Sequence, residues 1–236
     1  MSIRTRLQIA HPTLQGFINN HWDLDFLFLI ESGSALWGMK TPESDTDFLG
    51  VYLPSVENCI LQNIDHVITH QSNPSKNTSQ DIDIKILSIH QFMKQVIKGD
   101  SDTVACLFAP LDCVMYENEK FKKIRRSVPR LINQRMVASS LGGALNRLKA
   151  WEKTGDTKML YHAVRFLWIS HDIIRYKKLR LPVSEDVKRI LIKSKTNPEF
   201  GIKVYNELDK NINLFKERLP LPNSTLANQM ILGCYD

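Results

Sequence analysis

The segment Gln80-Asp81-Ile82-Asp83-Ile84-Lys85-Ile86 alternates strictly between polar and apolar residues. A period of two belongs to a β-strand, so Ile82, Ile84 and Ile86 face a core while Asp81, Asp83 and Lys85 share the opposite face. A strand that carries two carboxylates on one face is the feature that most narrows what this chain can build. Two other segments of the first half read as its neighbours. Asp25 to Ser32 is a short apolar run bounded by polar residues and leading into a Ser-Gly-Ser breaker, as a buried strand does. Asp47 to Leu53 is closed by Pro54, which cannot donate to a ladder.

Around these strands lie helical patterns. Residues 5 to 21 place Leu7, Ile9, Leu14, Phe17 and Ile18 at helical spacing with an interruption at Pro12, and Ala35 to Lys40 has room for a short helix. Ser88 reads as the N-cap of a helix over 89–97 that Gly99 stops. Residues 71–80 are polar and Pro-containing, which predicts a loop. From about residue 119 onward everything is helix-patterned: 119–127, 130–152, 157–177, 184–194 and 199–216. The expectation is an α+β fold, a small mixed sheet with helices over 1–115 followed by a helical domain over 116–236.

Charge divides along the same line. Residues 1–110 hold 7 Lys or Arg against 12 Asp or Glu, and residues 111–236 hold 24 against 13, within a total of +6. An acidic half suits metal ions and a basic half suits phosphate, which points to a nucleotide or nucleic-acid ligand. Four cysteines without paired spacing exclude a disulfide framework and a zinc knuckle, so Cys106 and Cys113 read as buried thiols. No apolar run reaches membrane-spanning length and the N-terminal residues lack a secretory pattern, so the expected location is the cytoplasm, with no membrane partner.

Three features of the first half carry chemistry together. Gly33-Ser34 follows a buried strand, where a tight turn presents backbone N–H groups and a hydroxyl to an anion. Ten residues on, Asp45-Thr46-Asp47 places two carboxylates at i and i+2, on one side of a strand start. Asp81 and Asp83 supply a third carboxylate from another strand, which is what two divalent ions shared with a triphosphate need. Taken singly, Gly33-Ser34 is an ordinary turn, Asp45 a cap, and Asp81 with Asp83 the solvated face of an edge strand.

The ordered string Glu31-Ser32-Gly33-Ser34, Trp37-Gly38, Ser44-Asp45-Thr46-Asp47, Gly50-Val51-Tyr52 and Pro54 resembles the DNA polymerase beta superfamily of nucleotidyltransferases. More narrowly, through Asp81-Ile82-Asp83, the helix over 88–97 and the stretch from Lys158–Arg165 to Leu219-Pro220, most of the chain resembles the stand-alone predicted nucleotidyltransferases, RNA-repair-associated members included. The resemblance implies that Gly33 and Ser34 bind the β- and γ-phosphates of a nucleoside triphosphate such as ATP. It implies that Asp45 and Asp47 hold two Mg²⁺ (or Mn²⁺) ions, and that Asp83, preferred to Asp81, completes the site. The implied reaction moves a nucleoside monophosphate to a hydroxyl acceptor, an RNA 3′ end being one candidate. A protein or small-molecule acceptor, or a non-catalytic binding module of the same fold, stays open. The chain departs from the family pattern at Asp100-Ser101 and Ala105, where Asn-Pro and a Glu are usual.

In the second half, Lys158, His162 and Arg165 fall at i, i+4 and i+7, so one helix face offers three groups to a nucleotide or acceptor, or is simply solvated. Two further basic clusters have the same double reading with respect to RNA: Lys120, Lys122, Lys123, Arg125 and Arg126, and Arg175, Lys177, Lys178 and Arg180 beside Tyr176. Trp22, Trp37, Trp151 and Trp168 stand singly and read as packing residues.

Overall fold

The computed structural model describes residues 12–21, 23–72, 81–213 and 219–236. Trp22, residues 73–80 of the loop expected over 71–80 and the start of the leading helix lie outside the described residues, while Gln71 ends a strand instead. Grouped by proximity, the chain forms two compact units. The first takes the described residues up to Lys94, then Ala109–Ser127 and Thr225–Asp236; the second takes Gln95–Phe108 and the described part of Val128–Ser224.

The first unit is built on a five-stranded mixed sheet. Its strands are β1 (Asp25–Glu31), β2 (Thr46–Leu53), β3 (Val67–Gln71), β4 (Ile82–Ser88) and β5 (Val114–Glu117), in the spatial order β3-β4-β2-β1-β5. β1 runs antiparallel to β2 and β5, and β3 antiparallel to β4; β2 and β4 are parallel. Helix α1 (Pro12–Asn20) begins with a proline, whose missing N–H costs nothing in a first turn. Leu14, Phe17 and Ile18 on α1 join Phe26, Leu29, Phe48, Tyr52, Ile82, Ile84 and Ile86 of the strands in one buried cluster. The apolar face expected for 82–86 is therefore a core face.

Helix α2 (Val56–Ile60) starts on a Ser55 cap, and α3 (Ile89–Lys98) follows β4 directly. Ser88 Oγ accepts from the Gln91 N–H at 3.2 Å, so Ser88 caps α3 while ending its strand. Gly99, at φ +79°, ends the helix where an L residue would be strained. Phe92 on α3 meets Phe121 on α5 (Glu119–Arg126) edge to face, and Phe121 stacks on Phe28 of β1 at 4.3 Å. The aromatic triplet packs a second layer of side chains beside β1.

The second unit is helical: α4 (Ser101–Leu107), α6 (Gln134–Thr154), α7 (Thr157–Tyr176), α8 (Glu185–Thr196) and α9 (Pro198–Asn213). Asp100 caps α4, its carboxylate accepting from the Thr103 N–H at 2.9 Å, so the departure at Asp100-Ser101 has a local structural use. Gly155 at φ +71° and the Asp156 cap turn α6 back into α7. Leu160, Ala163, Val164, Leu167 and Ile173 form the buried side of α7. Gly201 lets α9 approach: a Cβ there would lie 2.7 Å from a Leu160 methyl. Helix α10 (Ser224–Leu232) returns to the first unit, where Lys120 Nζ donates to the Cys234 carbonyl at 2.5 Å. Among the described residues no helix is long and apolar enough to cross a membrane. None of the four cysteines forms a disulfide, and Cys106 and Cys113 are buried as expected.

Candidate functional site

Parallel pairing of β2 and β4 sets Asp47 directly opposite Asp83, with Thr46 opposite Ile82 and Phe48 opposite Ile84. Neighbouring strands in register share faces, so the two carboxylates emerge on one side while Phe48 and Ile84 enter the core. The pairing continues one step beyond the strands, where the Thr46 N–H donates to the Asp81 carbonyl at 3.0 Å. Asp45 is held at that end by the chain on both sides: the Ser44 N–H donates to the Thr41 carbonyl at 3.0 Å.

β1 ends at the same place. The Ser32 N–H donates to the Asp47 carbonyl at 2.8 Å, and the chain then turns at Gly33. Gly33 has φ +58°, and a Cβ built on it would overlap Asp47 Oδ2 and lie 2.9 Å from that carboxyl carbon. Only glycine meets both demands. The Gly-Ser turn and the Asp-x-Asp strand are thus one packed unit. Residues 35–38 are turns and 39–40 irregular, rather than the short helix expected over 35–40: the Gly38 N–H reaches Ala35 and the Met39 N–H reaches Ser34, and Gly38 at φ +66° breaks any helical run.

The electrostatics are those of crowded like charge. Burial raises the Asp83 carboxyl above its usual range, and Asp45 and then Asp81 raise it further; Gln71 and His70 oppose this. Gln71 is placed by the antiparallel pairing of β3, which sets it opposite Asp83. Asp81 is the more buried of the pair and is engaged by Ser72, whose Oγ lies 3.4 Å from Asp81 Oδ1. Asp83 is half-buried, as are Asp45 and Asp47.

Three contributors escaped the sequence reading. Gln71 and His70 lie on β3, whose short, half-exposed pattern carries little periodic signal. Lys40 Nζ pairs with Glu31 and donates to Thr46 Oγ1 at 3.2 Å, tying the end of the glycine turn to the Asp-x-Asp segment. No local pattern announces that bond.

A metal would be held by Asp45, Asp47 and Asp83. Their hard carboxylate oxygens suit Mg²⁺, and the mutual repulsion at Asp83 is what a divalent cation relieves. Among the described residues no three His, Cys, Asp or Glu side chains are already drawn into a metal-binding group. Mg²⁺ commonly uses one or two carboxylates, waters and substrate phosphates instead of an all-protein cage, so the donor set fits the ion in kind.

In the helical unit, Lys158 is exposed and His162 and Arg165 are half-buried along α7. Burial pushes His162 down to about 3, with Arg165, Arg147 and Lys158 adding to the effect. His162 is therefore a neutral hydrogen-bonding group at pH 7, and the charge of this face belongs to Arg165, Lys158 and Arg147. Arg147, from α6, was not anticipated, because only the helical hairpin brings it to α7.

Comparison with known proteins adds a lineage to this geometry. An 85-residue stretch, 35% of this chain, is 33% identical to an uncharacterized 38.9 kDa protein in the nrdC-mobD intergenic region of Enterobacteria phage T4. That match spans a quarter of the phage protein's length. A solved nucleotidyltransferase-like protein from Exiguobacterium sibiricum aligns with 84% of this chain and 73% of its own, at 8% identity and a TM-score of 0.36. Residues 8–201, a span that includes Gly33, Asp45, Asp47, Asp83 and the α7 cations, match the model of one family throughout. The chain belongs to the RNA repair pathway DNA polymerase beta family, and so to the polymerase-beta-like nucleotidyltransferases.

Proposed function

We propose that the protein is a Mg²⁺- or Mn²⁺-dependent nucleotidyltransferase that moves a nucleoside monophosphate from a triphosphate such as ATP to the 3′ hydroxyl of an RNA. The observation that carries the reading is the alignment of Asp47 with Asp83 across β2 and β4, with the Gly33 turn packed against Asp47. Asp47 on β2, Asp45 just before it and Asp83 on β4 would hold the cation. Such an ion would supply charge neutralisation for the transferring phosphates. Backbone N–H groups of the Gly33-Ser34 turn and the Ser34 hydroxyl orient the β- and γ-phosphates. The acceptor hydroxyl passes its proton to the Asp83 carboxylate as its oxygen bonds to the α-phosphorus, the bond from that phosphorus to the bridging oxygen breaks, and pyrophosphate leaves with the electron pair. Within the helical unit, Lys158, Arg165 and the neutral His162 offer donors to a phosphate.

A second reading is a nucleotide-binding module without turnover, in which the Gly33-Ser34 turn binds phosphate and the carboxylates have no chemical task. One experiment separates them. Incubate the full chain with each α-labelled triphosphate, Mg²⁺ or Mn²⁺, and RNA, protein or small-molecule acceptors. Label appearing in RNA supports the proposal. Label appearing only in protein or a small molecule replaces the acceptor, and triphosphate binding with no transfer to any acceptor leaves the binding module.

A further inference from the structure

The two basic clusters seen in the sequence part company in the structure. In the sheet unit, Lys120 Nζ donates to the Cys234 carbonyl and Lys122 pairs with Glu119. Arg125 pairs with Glu117 at 3.2 Å, donates to the Ala109 carbonyl and lies over the Phe28 ring. That cluster is largely spent on its own unit.

The end of α7 is different. Arg175, Lys177 and Lys178 are exposed and make no ion pair among the described residues. Asp172, the one carboxylate in α7, is fully buried and engaged by Arg180, whose Nη2 and Nε reach its two oxygens at 2.7 and 3.1 Å. So fixed, the Arg180 guanidinium lies 3.8 Å from the Tyr176 ring centroid. Trp168 and His171 are 5.2 Å apart and His171 and Tyr176 6.2 Å, which makes a strip of adjoining rings ending in a Tyr176 that is 39% exposed. Lys177 sits at φ +53°, the left-handed position after a helix where glycine is the ordinary choice.

Cations in a last helical turn also complement the helix dipole. That accounts for Arg175, but neither for Lys178 beyond the helix nor for the exposed ring. Cations beside aromatic rings match one chemistry closely: phosphates to pair with, and unpaired bases to stack. An acidic polypeptide would satisfy the cations and leave the rings idle.

We propose that the end of α7 and the turn after it form a docking surface for single-stranded RNA. Arg175, Lys177 and Lys178 hold the phosphate backbone, and Tyr176, braced by Arg180, stacks an unpaired base. This rests on RNA being the acceptor and adds where the strand is gripped.

The test is fluorescence anisotropy of a labelled single-stranded RNA at several salt concentrations with the full chain. The surface variant is Arg175→Gln/Lys177→Gly/Lys178→Gln, in which glycine keeps the left-handed backbone. A control variant, Lys122→Gln/Lys123→Gln/Arg126→Gln, removes equal charge from the sheet unit. The surface variant should bind RNA about tenfold or more weakly, its log–log salt slope reduced by about 2 for three lost phosphate contacts, while the control keeps the wild-type slope. Tyr176→Ala should weaken single-stranded RNA several-fold and leave blunt duplex RNA unchanged. Equal binding by the surface and control variants, both shown folded by circular dichroism, would overturn the proposal. So would wild-type binding of polyglutamate as tight as that of RNA. Label transfer is scored separately: RNA bound through this surface by a protein that transfers nothing would sink the enzyme reading and leave this one standing.

Discussion

In the sheet unit a carboxyl, Asp83, is raised by burial and then by Asp45 and Asp81; in the helical unit an imidazole, His162, is pushed down to about 3 by burial and then by Arg165, Arg147 and Lys158. Each region crowds like charge around a half-buried titratable group, with opposite sign. Such crowding costs stability in the free protein and is relieved by a ligand of the opposite charge, a cation in one region and a phosphate in the other. The lopsided charge along the sequence thus resolves into two local fields. The variants below either remove one of them or measure it.

Replacing both Asp45 and Asp47 by Asn removes the cation-holding charge at nearly constant size. Label transfer should fall by about 10³-fold or more, ~4 kcal/mol of transition-state stabilisation. The circular dichroism spectrum should stay native, and retained turnover would place the chemistry elsewhere.

Gly33→Ala should act on fold and site together. It forces an L residue to φ +58° and drives a methyl into the Asp47 carboxylate. The backbone alone accounts for ~1–2 kcal/mol, read as a lowered melting temperature, and transfer should fall as Asp47 is displaced. A variant as stable and active as wild type would show that the turn can open away from Asp47.

For His162 the sign follows from its depressed value. The unfolded chain takes up a proton near the ordinary 6.5 and the folded protein only near 3, so the neutral imidazole's contribution is complete above 6.5 and is lost as pH falls toward 3. Denaturant melts across this window should show stability falling with pH, and Arg165→Gln should flatten the fall. If His162 titrates near 6.5 by NMR in the native protein, neither its burial nor the cationic crowding at α7 holds.

The smallest effect on stability is expected at Asp83. Its raised value means that ionisation destabilises the fold as pH rises through its folded value. Asp83→Asn should therefore raise the melting temperature at pH 7 by about 1–2 °C, and not at pH 3, while abolishing transfer. Saturating Mg²⁺ should close that gap by stabilising wild type. An Asn variant less stable at pH 7 would mean that Asp83 is satisfied, not crowded.

What the sequence determined by itself is whatever local periodicity and local chemistry encode. The alternation of 82–86, the apolar run of β1, the Ser88 cap and most of the helices from 119 onward are set by neighbours two to four residues away; the helix expected from 130 starts only at Gln134, after a 3-10 turn over Val128–Arg130. The order Gly-Ser then Asp-x-Asp was legible for the same reason. β3 and β5 were not, because a half-exposed edge strand and a four-residue strand owe their existence to pairing partners distant in sequence. Neither was α4, whose every residue but Asp102 is buried, leaving no amphipathic face to read. Only the tertiary structure set Asp47 opposite Asp83, laid the Asp47 carboxylate against Gly33, brought Arg147 beside His162 and spent Asp172 on Arg180. Strand register and helix pairing join residues beyond the reach of any local pattern, and the free energy that selects them comes from the buried faces as a whole, not from any local string.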